Sequence, residues 1–151
     1  MKIKDIMSKK VVSVGPGESI ESVIEELSRK NITGMPVVSK RKLVGIVTQS
    51  DIIKNIDIFS RINMESDISA INKMLRGRDI SKDEIRKICR KKVRGIMNKN
   101  VVTIGIENDL YEAAKAINEN GIDRLPVIHK GKLVGIVTKK DIIKAIERME
   151  S

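Results

Sequence analysis

Two threonine–aspartate pairs, Thr48/Asp51 and Thr138/Asp141, stand in matching surroundings. The strings are LVGIVTQSDIIK from Leu43 and LVGIVTKKDIIK from Leu133. A Thr directly before a helix, with an acid three residues on, matches a capping box. There each side chain satisfies a backbone N–H at the helix start, and the acid suits the positive end of the helix dipole. The same groups could serve a ligand. A Thr hydroxyl beside helix N–H groups can take a phosphate, and a carboxylate can accept two ribose hydroxyl donors. Gly45 and Gly135 lie inside the preceding apolar runs, where glycine marks close approach by a ligand or another backbone. Because the set occurs twice, the room beside these glycines is assigned to a ligand.

The elements that must position these groups are legible from an internal duplication. Aligning Pro36 with Pro126 also aligns Met7 with Met97, Gly15 with Gly105, Gly45 with Gly135 and Asp51 with Asp141, without a gap from Ile3 to Ile56. Two copies with one connecting segment point to a pseudo-twofold arrangement, since a solenoid needs at least three. In the first copy Val11–Val14 is a β-branched run ended by Gly15-Pro16-Gly17, a strand and a turn. Ile20, Val23, Ile24 and Leu27 then fall on one helix face, as do Leu110, Ala113, Ala114 and Ile117 in the second copy. Asp109 with Glu112 forms a capping box, and Gly121 is a helix stop. MPVVSKRKLVGIVT and LPVIHKGKLVGIVT read as strand pairs around polar turns, each followed by the helix that Asp51 or Asp141 opens. The order is β-α-β-β-α twice, an α+β fold of two units. Unit 1 spans 1–60, a linker 61–92 and unit 2 93–151.

The linker lacks the Gly/Ser/Pro composition of a flexible tether and reads as helical. Ile68, Ile71 and Leu75 keep helical spacing within Glu65–Leu75, Arg76-Gly77-Arg78 breaks it, and Ser81 with Glu84 starts a capped basic helix. The net charge of +10 is concentrated here. Between Lys73 and Lys99 eleven Lys and Arg residues face three acids, which raises nucleic acid as a partner alongside a solvated helix face. The near absence of aromatics, with only Phe59 and Tyr111, argues against base stacking and makes the core aliphatic. MKIKDIMSKK has no apolar core of a signal peptide, and the apolar runs are too short for a membrane span, so the chain reads as cytoplasmic. Cys89 is the only cysteine and reads as filler beside Ile85 and Ile88, which leaves no disulfide framework and no Cys-based zinc site. His129, in a hairpin turn, is the only histidine and has no ligand-spaced partner. Met7 and Met97 recur in phase as core near the cleft. With one His no Ser/His/Asp or Cys/His set can be assembled, and phosphate-cradling P-loop and GxGxxG patterns are missing. No enzyme, metal or required cofactor is expected.

Paired β-α-β-β-α units with Pro-Val-Val and then Leu-Val-Gly-Ile-Val-Thr-x-x-Asp resemble CBS domains, named after cystathionine β-synthase, two of which form a Bateman module. The resemblance covers roughly Met1–Ile56 and Val93–Met149. It implies two units packed sheet against sheet with two clefts between them. It further implies adenosine-containing ligands such as AMP, ADP, ATP, S-adenosylmethionine or methylthioadenosine, and a homodimer. Carried over residue by residue, the ribose-binding acid matches Asp51 and Asp141, and the Thr near the phosphate matches Thr48 and Thr138. The strand entering the adenine pocket matches Val11, Val12 and Ser13, and Val101, Val102 and Thr103. Thr33, Gly34 and Met35 before Pro36, and Asp123, Arg124 and Leu125 before Pro126, match cleft-lining positions. The first set thus groups with Asp51 and the second with Asp141. Arg124 fits the role of a basic phosphate contact and Gly34 cannot, so the second cleft is expected to be the better phosphate site. Asp123 departs from this pattern, because an acid there repels phosphate unless Arg124 offsets it. Arg124 could also form a surface salt bridge with Asp123.

The leading reading is a regulatory ligand-sensing module whose occupancy passes to a partner or to its own dimer. One alternative is nucleic-acid binding through Lys73–Lys99, modulated by the clefts. Another is a structural or protein-docking module with non-functional clefts.

Overall fold

The computed structural model describes residues 1–65 and 81–151, with 58–65 described by backbone alone. The expected break at Arg76-Gly77-Arg78 and most of the expected Glu65–Leu75 helix lie outside the described residues. So does the part of the basic segment before Ser81.

Unit 1 contains α1 (Ile3–Ile6), α2 (Ile20–Lys30), β1 (Gly34–Ser39), β2 (Lys42–Thr48) and α3 (Gln49–Glu65). After α4 (Lys82–Cys89), unit 2 begins with a 3₁₀ turn at Val93–Gly95. It continues with β3 (Ile104–Gly105), α5 (Leu110–Asn120), β4 (Arg124–His129), β5 (Lys132–Thr138) and α6 (Lys139–Glu150).

The helices form where pattern and caps agree. Ser19 caps α2 by accepting from Ser22 N–H, and Asn31 ends it in the left-handed region at φ 51°. Asp109 and Glu112 box the start of α5, and Gly121 ends it at φ 60°. Ser81 accepts from Glu84 N–H at the start of α4. Ile88 of α4 is buried, while the neighbouring Cys89 is only half-buried.

β1 pairs antiparallel with β2, and β4 with β5, in the same register with a bulge at the same place in each. Pro36 faces Ile46 and Pro126 faces Ile136. The expected opening strand of each unit is shorter than its β-branched run. Only Ile104–Gly105 pairs parallel with β4 in unit 2, and a single bridge from Val14 to Val37 stands for it in unit 1. Residues 11–13 and 101–103 therefore leave the sheets.

Two aliphatic cores result, and their membership crosses between the units. The core under β4 and β5 includes Leu125, Val127 and Val137 on the strands, Ile117 and Ile142 on the helices, and also Ile3 and Ile6 from the chain start. The core under β1 and β2 includes Val37, Val47, Ile20 and Leu27, and also Val93 from the start of the second copy. Each unit thus lends its first segment to the other. Ile3 N–H donates to the Asn108 carbonyl at 2.8 Å, and Val93 N–H donates to the Glu18 carbonyl at 2.9 Å. Further along, Ser8 exchanges two backbone hydrogen bonds with Ile136, and Asn98 exchanges two with Ile46. The exchanged segments thus bridge to β5 and β2.

Candidate functional site

The paired Thr and Asp residues form the same cap in both units. Thr48 N–H and Oγ1 both donate to Asp51 Oδ2 at 2.9 Å, and Asp51 N–H donates to Thr48 Oγ1 at 3.3 Å. For Thr138 and Asp141 the corresponding distances are 2.8, 2.9 and 3.4 Å. All the carboxylate contacts use Oδ2. In each Asp, Oδ1 accepts no hydrogen bond from a described residue, so a capped aspartate still offers an acceptor.

The glycines in the same strands are accounted for by protein. A Cβ on Gly45 would stand 2.7 Å from Met97 Sδ and 3.0 Å from the Asn98 carbonyl oxygen. One on Gly135 would stand 2.6 Å from Met7 Sδ and 3.0 Å from the Ser8 carbonyl oxygen. The room expected for a ligand is filled by the exchanged segment of the other unit. Glycine is required because a backbone bridge and a methionine approach the strand there. This also fixes the in-phase recurrence of Met7 and Met97.

Among the cavities lined by both units, two carry the Thr–Asp pairs. The larger, about 520 Å³, carries Thr138 and Asp141 with Val12, Thr33, Gly34, Asp123 and Arg124. The smaller, about 290 Å³, carries Thr48 and Asp51 with Thr33, Val101, Val102, Asp123 and Arg124. The expected grouping is therefore corrected: Gly34 lies with Asp141 and not with Asp51, and among the valine segments Val12 lies with Asp141 while Val101 and Val102 lie with Asp51. For the valines the reason is the exchange, since residues leading out of Met7–Ser8 run along β5 and those leading out of Met97–Asn98 run along β2. Val11, Ser13 and Thr103 line neither cavity. Met35, Pro36, Leu125 and Pro126, expected to line the clefts, are buried in the strands and line neither cavity. His129 is exposed at the end of β4, away from both cavities.

Arg124 is the one charged side chain buried among the described residues, at 7% exposure. It is not a surface partner of Asp123. Its Nη2 donates to Thr33 Oγ1 across the unit boundary, and it fills the space left by the missing side chain of Gly34. Burial draws the guanidinium below its ordinary pKa, opposed by the charges of Asp123 and Asp51. Asp123 instead pairs with Lys139, whose Nζ lies 3.0 Å from Oδ1, and both are exposed. The acid expected to repel phosphate is thus offset by Lys139 as well as by the charge of Arg124.

The cavities differ in charge. Lys10, Lys139, Lys140 and Arg124 line the larger one against Asp123 and Asp141. Arg124 alone faces Asp51 and Asp123 in the smaller. The lysines of the larger cavity were missed in the sequence reading. Two of them occupy the variable positions of Thr-x-x-Asp, where the first copy has Gln49 and Ser50, so a signal was present there. Lys10 gave none, because its cavity depends on the exchange. Among the described residues no cluster of His, Cys, Asp and Glu could hold a metal ion, and no helix is long and apolar enough to cross a membrane.

A family model described as CBS domain matches residues 3–58 and 93–148. The chain belongs to the CBS-domain family. Among curated relatives of this CBS pair, protein MJ1426 of Methanocaldococcus jannaschii is 35% identical over 155 residues, covering 97% of the chain and 91% of the relative. The pair spans only 40% of MJ1232 and 46% of MJ1225 from the same organism. Two solved structures match the whole architecture. The CBS-domain pair of protein MJ0100, in complex with 5′-methylthioadenosine and S-adenosyl-L-methionine, is 25% identical with a TM-score of 0.72, and the match covers 99% of this chain and 98% of that one. CBSX2, in complex with AMP, is 25% identical with a TM-score of 0.74 and the same coverage.

Proposed function

We propose that this CBS pair is a regulatory module that binds adenosine-containing ligands in the two cavities between its units and passes their occupancy to a partner or to its own dimer. The carrying observation is the capped aspartate at each cavity, with Oδ2 held by the preceding Thr and Oδ1 left to accept ribose hydroxyls. The ligands of MJ0100 and CBSX2 support the ligand class. The four basic residues of the larger cavity favour a phosphate there, which suits AMP, ADP or ATP. The smaller cavity, with Arg124 alone against two aspartates, favours an adenosine compound without phosphate. A homodimer belongs to the same reading, because Ile53 on α3 and Ile143 and Met149 on α6 are more than half exposed and pairing would cover them. The deciding experiment is calorimetry with AMP, ADP, ATP, S-adenosylmethionine and methylthioadenosine. Binding by at least one is expected, and silence from all of them at millimolar concentration would remove the proposal.

A further inference from the structure

Positions 34 and 124 are equivalent in the two units, and they meet at the boundary between them. A Cβ on Gly34 would stand 2.5 Å from Arg124 Nη1 and 2.9 Å from its Cζ. Space for one side chain is therefore shared by two positions, and the arginine of unit 2 occupies it. A second arginine, at position 34, would have to enter the volume that the first already fills. The pair consequently holds one buried guanidinium for two cavities. Arg124 lines both, as do its hydrogen-bond partner Thr33 and the neighbouring Asp123.

We infer that Arg124 couples the two cavities, so that a phosphate bound in one takes the guanidinium the other needs and phosphate-bearing ligands bind antagonistically. The inference rests on the proposed ligand class. A guanidinium fork engages one phosphate at a time in its strong bidentate form. At 7% exposure Arg124 has little water to replace a lost partner, so its position matters to both sites. With Arg124 engaged in the larger cavity, the smaller is left with Asp51 and Asp123 and no other cationic lining. The larger cavity keeps Lys10, Lys139 and Lys140 in either case, and fills first. Such coupling is reciprocal by thermodynamic necessity.

The test compares one cavity alone with the same cavity when its neighbour is filled. AMP and adenosine are titrated by calorimetry into the full chain, into Asp141→Ala, which weakens the larger cavity so that the first step reads the smaller, and into both forms carrying Arg124→Gln. For AMP, the second step of the parent chain should be weaker than the first step of Asp141→Ala by about ten-fold or more, the weight of a charge-assisted contact. For adenosine the two should agree, and with Arg124→Gln the AMP values should agree as well. Adenosine affinity reports that Arg124→Gln is folded. If that variant does not bind adenosine, Arg124→Lys takes its place and should show a reduced gap. Equal AMP steps in the parent chain, or a gap that persists without Arg124, would overturn the coupling while leaving the ligand class standing. Failure of AMP to bind would overturn the coupling, while the ligand class falls only if S-adenosylmethionine and methylthioadenosine are silent as well.

Discussion

Met97 places its sulfur where a side chain on Gly45 would have to stand, 2.7 Å from the ideal Cβ position. The contact joins the start of the second copy to the sheet of the first. Gly45→Ala should therefore destabilise the fold by about 1–3 kcal/mol, the range for overpacking a filled site. Shortening Met97 to Ala in the same chain should recover only part of the loss, because the Asn98 carbonyl remains 3.0 Å away. A double-mutant cycle by urea denaturation measures both effects. Additive losses would show that the two residues do not meet.

The exchange also makes the first residues of the chain part of the second core. Ile3 is fully buried there, among Leu125 and Val137. Ile3→Ala should cost about 2–5 kcal/mol, as for other large-to-small core changes. Hydrogen exchange should show the loss in β4, β5 and α5 of unit 2 before β1 and β2. Protection lost first within unit 1 would contradict the exchange.

Asp141 has two roles in one side chain, and substitutions can separate them. Asp141→Ala removes the reciprocal cap of α6 and should cost about 1 kcal/mol of stability. The same change should weaken ribose-containing ligands at the larger cavity by about ten-fold or more, through loss of a charged acceptor. 2′-Deoxyadenosine should lose less than adenosine on the same substitution, because it offers one donor fewer. If both lose equally, Asp141 acts only as a cap.

The exchanged N-terminal segment is also tied down by charge. Glu107 accepts hydrogen bonds from Lys2 and Lys4, and these hold its carboxyl down to about 2. The folded value lies below the ordinary 4.5, so its contribution is complete above the unfolded pKa and is lost as pH falls through about 2. Glu107→Gln should flatten the stability profile between those limits at low salt. The difference from the parent chain should shrink at high salt, because all three side chains are exposed and screened. Midpoints from thermal melts across this range check the sign, and a variant that becomes more acid-sensitive would refute it.

Much of this protein was legible in its sequence because the relevant information is local. The duplication, the helix faces, the Asp109–Glu112 box and the Gly121 stop depend on neighbours within a turn or two. The same holds for the Thr-x-x-Asp caps, whose partners are three residues apart. Even the charge difference between the cavities was partly written there, in Lys139-Lys140 against Gln49-Ser50. Three features were decided only by tertiary structure. The Gly45 and Gly135 gaps receive methionines from the other unit, Val12 stands with Asp141 and not with Asp51, and Arg124 occupies the place of Gly34. Each depends on groups far apart in the chain meeting at the boundary between the units, and at Gly34 and Arg124 two equivalent positions compete for one volume. Local pattern carries no record of that competition, since it arises only when the two copies pack together.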